Sequence, residues 1–203
     1  MRDIIYSMFT IVSAPNPILS QKTKKVPKID SSILRLVEEM KETLDKTLDP
    51  EGVGLAAPQV GKSVQIFIMK PTPKSPVTVC INPLVEPKRE PQATEETGLS
   101  AHALAKAEPK AKSSSSKKLE GCLSLYSIWG EVVRKREITI SYLDEKGKSH
   151  VKTFKRFPAT IVQHEMDHLN GILFPKRVLE QKGILYKSRK NEKGEDIFEE
   201  IEI

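Results

Sequence analysis

Three observations predict a mixed α+β fold for this chain. Apolar residues recur at a period near 3.6 through residues 31–48, and a second helical segment follows Pro158. Short β-branched and aromatic runs lie at 64–69, 77–81, 132–133, 138–143 and 151–154. The chain has 203 residues, which favours one domain with appendages. It is 38% hydrophobic and 30% charged, against typical values of ~45–50% (glycine included) and ~25%. No apolar run approaches the ~18–20 residues of a membrane-spanning helix. Two cysteines, Cys80 and Cys122, are too few for a disulfide framework. Collagen-like, disulfide-scaffold and integral-membrane classes are excluded.

In the first helix Ile33, Leu34, Leu36, Val37, Met40, Leu44 and Leu48 form one apolar face, with Glu38, Glu39, Lys41 and Glu42 on the other. Asp30, Ser31 or Ser32 supplies its N-cap. Before it, Ile4–Ala14 has the length of a signal core. Asp3 in the would-be basic region and the Ser and Thr within the run instead suit a first strand entering a Pro15-Asn16-Pro17 turn. Pro71-Thr72-Pro73 separates the next two strands, and Asp144-Glu145-Lys146-Gly147 joins the last two as a hairpin turn.

Residues 86–118 interrupt this pattern. The stretch holds three prolines, the run Ser113–Ser116 and almost no large apolar side chain. It cannot bury enough surface to offset its ordering entropy, so a disordered or loosely helical insertion is expected, with His102 a bystander inside it. The expected organisation is a single unit over residues 1–178 and a polar extension over 179–203. Lys+Arg 33 against Asp+Glu 27 leaves a net charge of +6. Ordinary solubility charge is the preferred reading of that excess over an acidic partner such as RNA.

The strongest chemical signal is Gln163-His164-Glu165-Met166-Asp167-His168. Histidines at i and i+4 share a helix face, so both can reach one metal ion, and Glu165 beside them can take a proton from water that the metal activates. The helix should start after Pro158 and stop at Asn170-Gly171. A third ligand is required, and Cys122 in Glu120-Gly121-Cys122-Leu123-Ser124 is the attractive candidate, because thiolate binds divalent metals strongly. A lone cysteine is by itself more often a buried apolar residue. Gly52-Val53-Gly54-Leu55-Ala56-Ala57-Pro58-Gln59 leaves room for a ligand's backbone and offers an amide donor, but lacks the ending of a phosphate loop.

Taken together, GVGLAAPQ, EGCLS and QHEMDH resemble, in order and content, the three motifs of the peptide deformylase family. The resemblance runs from about Thr10 to Val178 and includes Ile81-Asn82-Pro83, Gly130-Glu131-Val132 and His168–Phe174. It implies mostly antiparallel strands surrounding the metal-bearing helix, with the N-terminal amphipathic helix packed outside. It implies one divalent ion on Cys122, His164 and His168: Fe2+ in the most active form, Zn2+, Ni2+ or Co2+ otherwise. Glu165 becomes the proton carrier, and the Gln59 amide and Leu123 N–H become the oxyanion donors. The substrate implied is the formyl-methionyl end of a new polypeptide, held in extended form between Gly52-Val53-Gly54 and Gly121. Val53, Thr160 and Ile161 would line the methionine pocket.

The sequence departs from the family at Leu125-Tyr126-Ser127-Ile128-Trp129, where a Val-Pro-Gly turn is common. Trp129 either lines the cleft or plugs the core, two readings of equal weight. A metal amidase with another acyl substrate and a silent ribosome-associated member are the alternative functions. A ribosome surface is a weakly supported partner, and neither DNA nor membrane is expected. Bacterial-type cytoplasm is the expected location, ahead of an organelle.

Overall fold

The computed structural model describes residues 9–47, 51–87 and 117–202. Most of the expected insertion, His102, Leu48 and the start of the expected first strand lie outside them.

The first helix, α1 (Ser31–Asp45), begins at Asp30, whose carboxylate accepts from the N–H groups of Ser32 and Ile33 at 3.0 and 3.1 Å. Five antiparallel strands form one sheet: β1 (Gly54–Ala56), β2 (Ile66–Met69), β3 (Thr78–Val85), β6 (Glu137–Leu143) and β7 (Ser149–Lys155), in the order β1-β2-β3-β6-β7. A second antiparallel sheet has β4 (Lys117–Cys122), β5 (Leu125–Val133), β8 (Leu185–Lys190) and β9 (Asp196–Glu200), in that order.

The helices α2 (Phe157–Leu169) and α3 (Phe174–Glu180) complete the fold. The unbroken run Ile66-Phe67-Ile68-Met69 on β2 is explained by cover on both faces. Ile66 and Ile68 pack with Val37, Met40 and Leu44 of α1, while Phe67 and Met69 pack with Ala159, Ile161 and Val162 of α2. Alternation along the strand thus sends successive apolar residues into two layers of core. A third, smaller cluster joins Val132 of β5 to Phe174, Val178 and Leu185.

One expectation changes. Residues 9–14 form no strand: Val12 N–H donates to the Gln59 carbonyl at 2.8 Å and Ala14 N–H to that of Ser124 at 2.9 Å, partners on separate segments that make no ladder. The polar extension expected over 179–203 contributes strands to the second sheet. Its β8 pairs with β5, Trp129 opposite Tyr186, and its turn returns as β9. The insertion also gives back its last residues, since Lys117 and Lys118 already belong to β4. Among the described residues no helix is long and apolar enough to cross a membrane.

Candidate active site

Helix α2 carries both histidines and ends cleanly. Gly171, at φ 70, closes it with bonds from its N–H to the His168 carbonyl (3.1 Å) and from Ile172 N–H to that of Asp167 (2.9 Å). This is the paired closure that favours glycine in the left-handed region. Cys122 arrives from the end of β4, at the register shift against β5. The ligand atoms of Cys122, His164 and His168 all lie within 4.8 Å of one another, with Cys122 Sγ 3.2 Å from His168 Nε2.

The donor set fits a divalent metal. One sulfur and two imidazoles suit borderline-soft ions, and three protein ligands leave a position open. His164 is oriented through Nδ1, which lies 3.2 Å from Glu120 Oε2, leaving Nε2 for the centre. His168 Nδ1 and Glu165 Oε2 are buried without a hydrogen-bond partner among the described residues. The electrostatics agree. Burial works against charge on His164, yet Cys122 and Glu120 hold its imidazole well above the ordinary value. Burial and the neighbouring His164 push His168 well below.

Glu120 would be raised by burial, but hydrogen bonds from His164 and Arg134 hold it at about 2. Arg134 grips both Glu120 oxygens at 2.9 Å and reaches Asp167 Oδ2 at 2.6 Å, and Arg177 takes Asp167 Oδ1 at 2.7 Å. Sequence reasoning passed over Glu120, Arg134 and Asp167. The signal was available for Glu120: two residues before Cys122 on a strand, it shares the cysteine's face.

Glu165 is 3% exposed, and burial raises its carboxyl to about 7. Its carboxylate lies against Gly54, where an added methyl would collide with it and with Ile161. Gln59 sits on the short 3-10 turn Ala57–Val60. Its Oε1 accepts from Ala56 N–H at 2.8 Å, which aims Nε2 at Cys122 Sγ (3.5 Å) and Ser124 Oγ (3.4 Å). Leu123 follows Cys122 at the turn into β5 and packs against the α1 side of the core.

A cavity of ≈ 260 Å³ opens from this centre. Gly52, Val53, Gly54, Gly121, Thr160 and Ile161 line it. Trp129 lines it too, and also a neighbouring cavity of ≈ 200 Å³ that reaches Tyr126, Ser188 and Asp196. Its ring covers Gly121, its cross-strand partner, where any side chain would clash. The indole Nε1–H donates to Ser188 Oγ at 3.0 Å, and Phe198 packs edge-on at 5.8 Å. Trp129 is therefore a wall of the cleft, clamped from behind by the β8–β9 hairpin.

The family described as polypeptide deformylase matches residues 8–183. A peptide deformylase of Synechocystis is 34% identical over 164 residues, covering 79% of this chain and 74% of its own. A peptide deformylase 1B of Arabidopsis thaliana, described as chloroplastic/mitochondrial, is 36% identical over 174 residues, 84% of this chain and 54% of its own. The crystal structure of the Thermotoga maritima peptide deformylase superposes with a TM-score of 0.66 at 30% identity, covering 85% of this chain and 98% of that one. With the family match over residues 8–183 and relatives 34% identical across most of its length, the chain belongs to the polypeptide deformylase family.

Proposed function

We propose that the chain hydrolyses the formyl amide on the N-terminal methionine of newly made polypeptides. Water adds to the formyl carbon, the C–N bond breaks, and formate and a free amine leave. The observation that carries this reading is the buried Glu165 carboxyl, its Oε2 unpartnered, beside three converging ligand atoms. Cys122, His164 and His168 hold one divalent ion, Fe2+ in this reading, with Zn2+, Ni2+ or Co2+ as substitutes. Such an ion, when bound, would supply Lewis acidity and a water of lowered pKa.

Glu165 accepts the water's proton and returns it to the departing amine; a carboxyl lifted to about 7 is suited to both transfers. Gln59 Nε2–H and the Leu123 N–H donate to the oxyanion as it develops. Val53, Thr160 and Ile161 hold the methionine side chain, and the backbones of Gly52-Val53-Gly54 and Gly121 hold the extended peptide. The catalytic unit is the stretch 1–178 with its insertion, and the extension beyond it braces Trp129. Bacterial-type cytoplasm, where formylated chains leave the ribosome, is the location that fits; the Arabidopsis relative keeps an organelle in view.

The test is formate release from formyl-Met-Ala-Ser by protein purified anaerobically with ferrous iron, beside a Glu165→Ala control. Turnover that vanishes in the control is expected. No turnover with one ion bound per chain overturns the reading.

A further inference from the structure

Beside the candidate methionine pocket lies a separate cleft of ≈ 340 Å³, lined by Lys118, Arg134, Lys135, Arg136, Arg156 and Thr160, five cations and no acid. Arg134 is occupied by Glu120 and Asp167. Lys118, Lys135, Arg136 and Arg156 form no ion pair among the described residues. The cluster is held in place. The Gln163 amide donates to the Lys135 carbonyl (2.9 Å) and accepts from its N–H (3.0 Å), and Arg156 N–H donates to the Arg136 carbonyl at 2.7 Å. Like charges gathered in one concavity raise each other's energy and attract anions.

The neighbouring site says where that anion comes from. The two cavities share Lys118 and Thr160. The one of ≈ 260 Å³ runs from Cys122 and His164 back along β4 to Lys118, and back along α2 from Glu165 to Phe157. Both β1 and β4 are edge strands of their sheets and both line it, so an extended peptide can lie between two open edges. In an extended chain, side chains one and three face the same side, about 7 Å apart. With the reacting end at the ligands and methionine against Ile161 and Thr160, the third side chain is the next to face α2. It reaches the level of Lys118 and the cationic cleft.

We propose that this cleft is the subsite for the third residue of the formylated peptide and selects a carboxylate there, Asp or Glu. This rests on the deformylase reading above.

The experiment compares kcat/KM for formyl-Met-Ala-Xaa-Ala-amide with Xaa as Glu, Ser and Lys; the amide removes the terminal carboxylate. The Glu peptide should exceed the Lys peptide by about fivefold, the scale of partly exposed charge pairs. The difference should lie in KM and shrink at high salt. Lys135→Gln with Arg136→Gln should bring the Glu/Lys ratio towards one, and Lys135→Glu with Arg136→Glu should invert it. Equal turnover of Glu and Lys peptides, a preference that survives in both variants, or one that appears at residue two instead, overturns the subsite while leaving the deformylase reading intact. No turnover of any peptide overturns both.

Discussion

The carboxylate of Glu165 rests against the backbone of Gly54, in space that any side chain at residue 54 would occupy. A strand from one end of the sheet therefore fixes where the proton carrier on α2 can stand.

Gly54→Ala should push Glu165 from that position without touching the ligands. A displacement near 1 Å of a catalytic group costs on the order of a hundredfold in rate. We expect kcat on formyl-Met-Ala-Ser to fall by about that factor while metal content per chain stays the same. An alanine variant with full turnover would show that the contact is incidental.

Gln59 has two duties, and one substitution exposes both. Gln59→Ala removes the donor aimed at Cys122 and leaves the buried Ala56 N–H without its acceptor. Turnover should drop about 10²–10³-fold, and chemical denaturation should show a loss of about 1–3 kcal/mol. A rate loss without a stability loss would mean that water replaces the Oε1 contact.

Arg134 should matter more to the fold than its distance from the chemistry suggests. Its side chain is 8% exposed, and it neutralises Glu120 and Asp167, which are as hidden. Arg134→Ala leaves Glu120 with His164 alone and Asp167 with Arg177 alone, both short of compensation, so unfolding free energy should fall by about 3 kcal/mol. Unchanged stability in a denaturant titration would count against the network as a structural anchor.

The two cysteines should separate by reactivity. Cys80 is fully buried and burial pushes its thiol up, whereas Cys122 is partly exposed at the end of an edge strand. In metal-free native protein a thiol reagent should consume one equivalent, a second only after denaturation, and none readily once a divalent ion is bound. Protection of neither cysteine by metal would remove Cys122 from the ligand set.

How much of this could be read in advance depends on how local each signal is. The HEMDH pair is legible because helix periodicity alone puts both rings on one face. Cys122 is less so, since it comes from β4, far along the chain from α2; thiolate chemistry made it a candidate, and the company of the other motifs strengthened it. Helix α3 spans seven residues, too few for a period to show. The β8–β9 hairpin hides for another reason. Its strands are held by cross-strand pairs such as Arg189–Glu199 and Lys190–Asp196 rather than by apolar alternation, so it reads as a polar tail. Arg134 was invisible because its carboxylate partners lie 14 and 33 residues away.

The N-terminal arm has the last word on when this centre can exist. Thr23 donates to the Leu169 carbonyl from both its N–H (2.9 Å) and its hydroxyl (2.8 Å), 146 residues apart along the chain, and a side chain at Gly171 would collide with the backbone of Ser20. This part of the N-terminal segment thus closes only once the end of α2 is made, although Val12 and Lys24 already bond to Gln59 and Ser63. A chain interrupted before His168 lacks both the clasp and at least one imidazole. Premature termination therefore yields no weakly active fragment, and the catalyst that trims newborn proteins is itself inert until most of its own translation is complete.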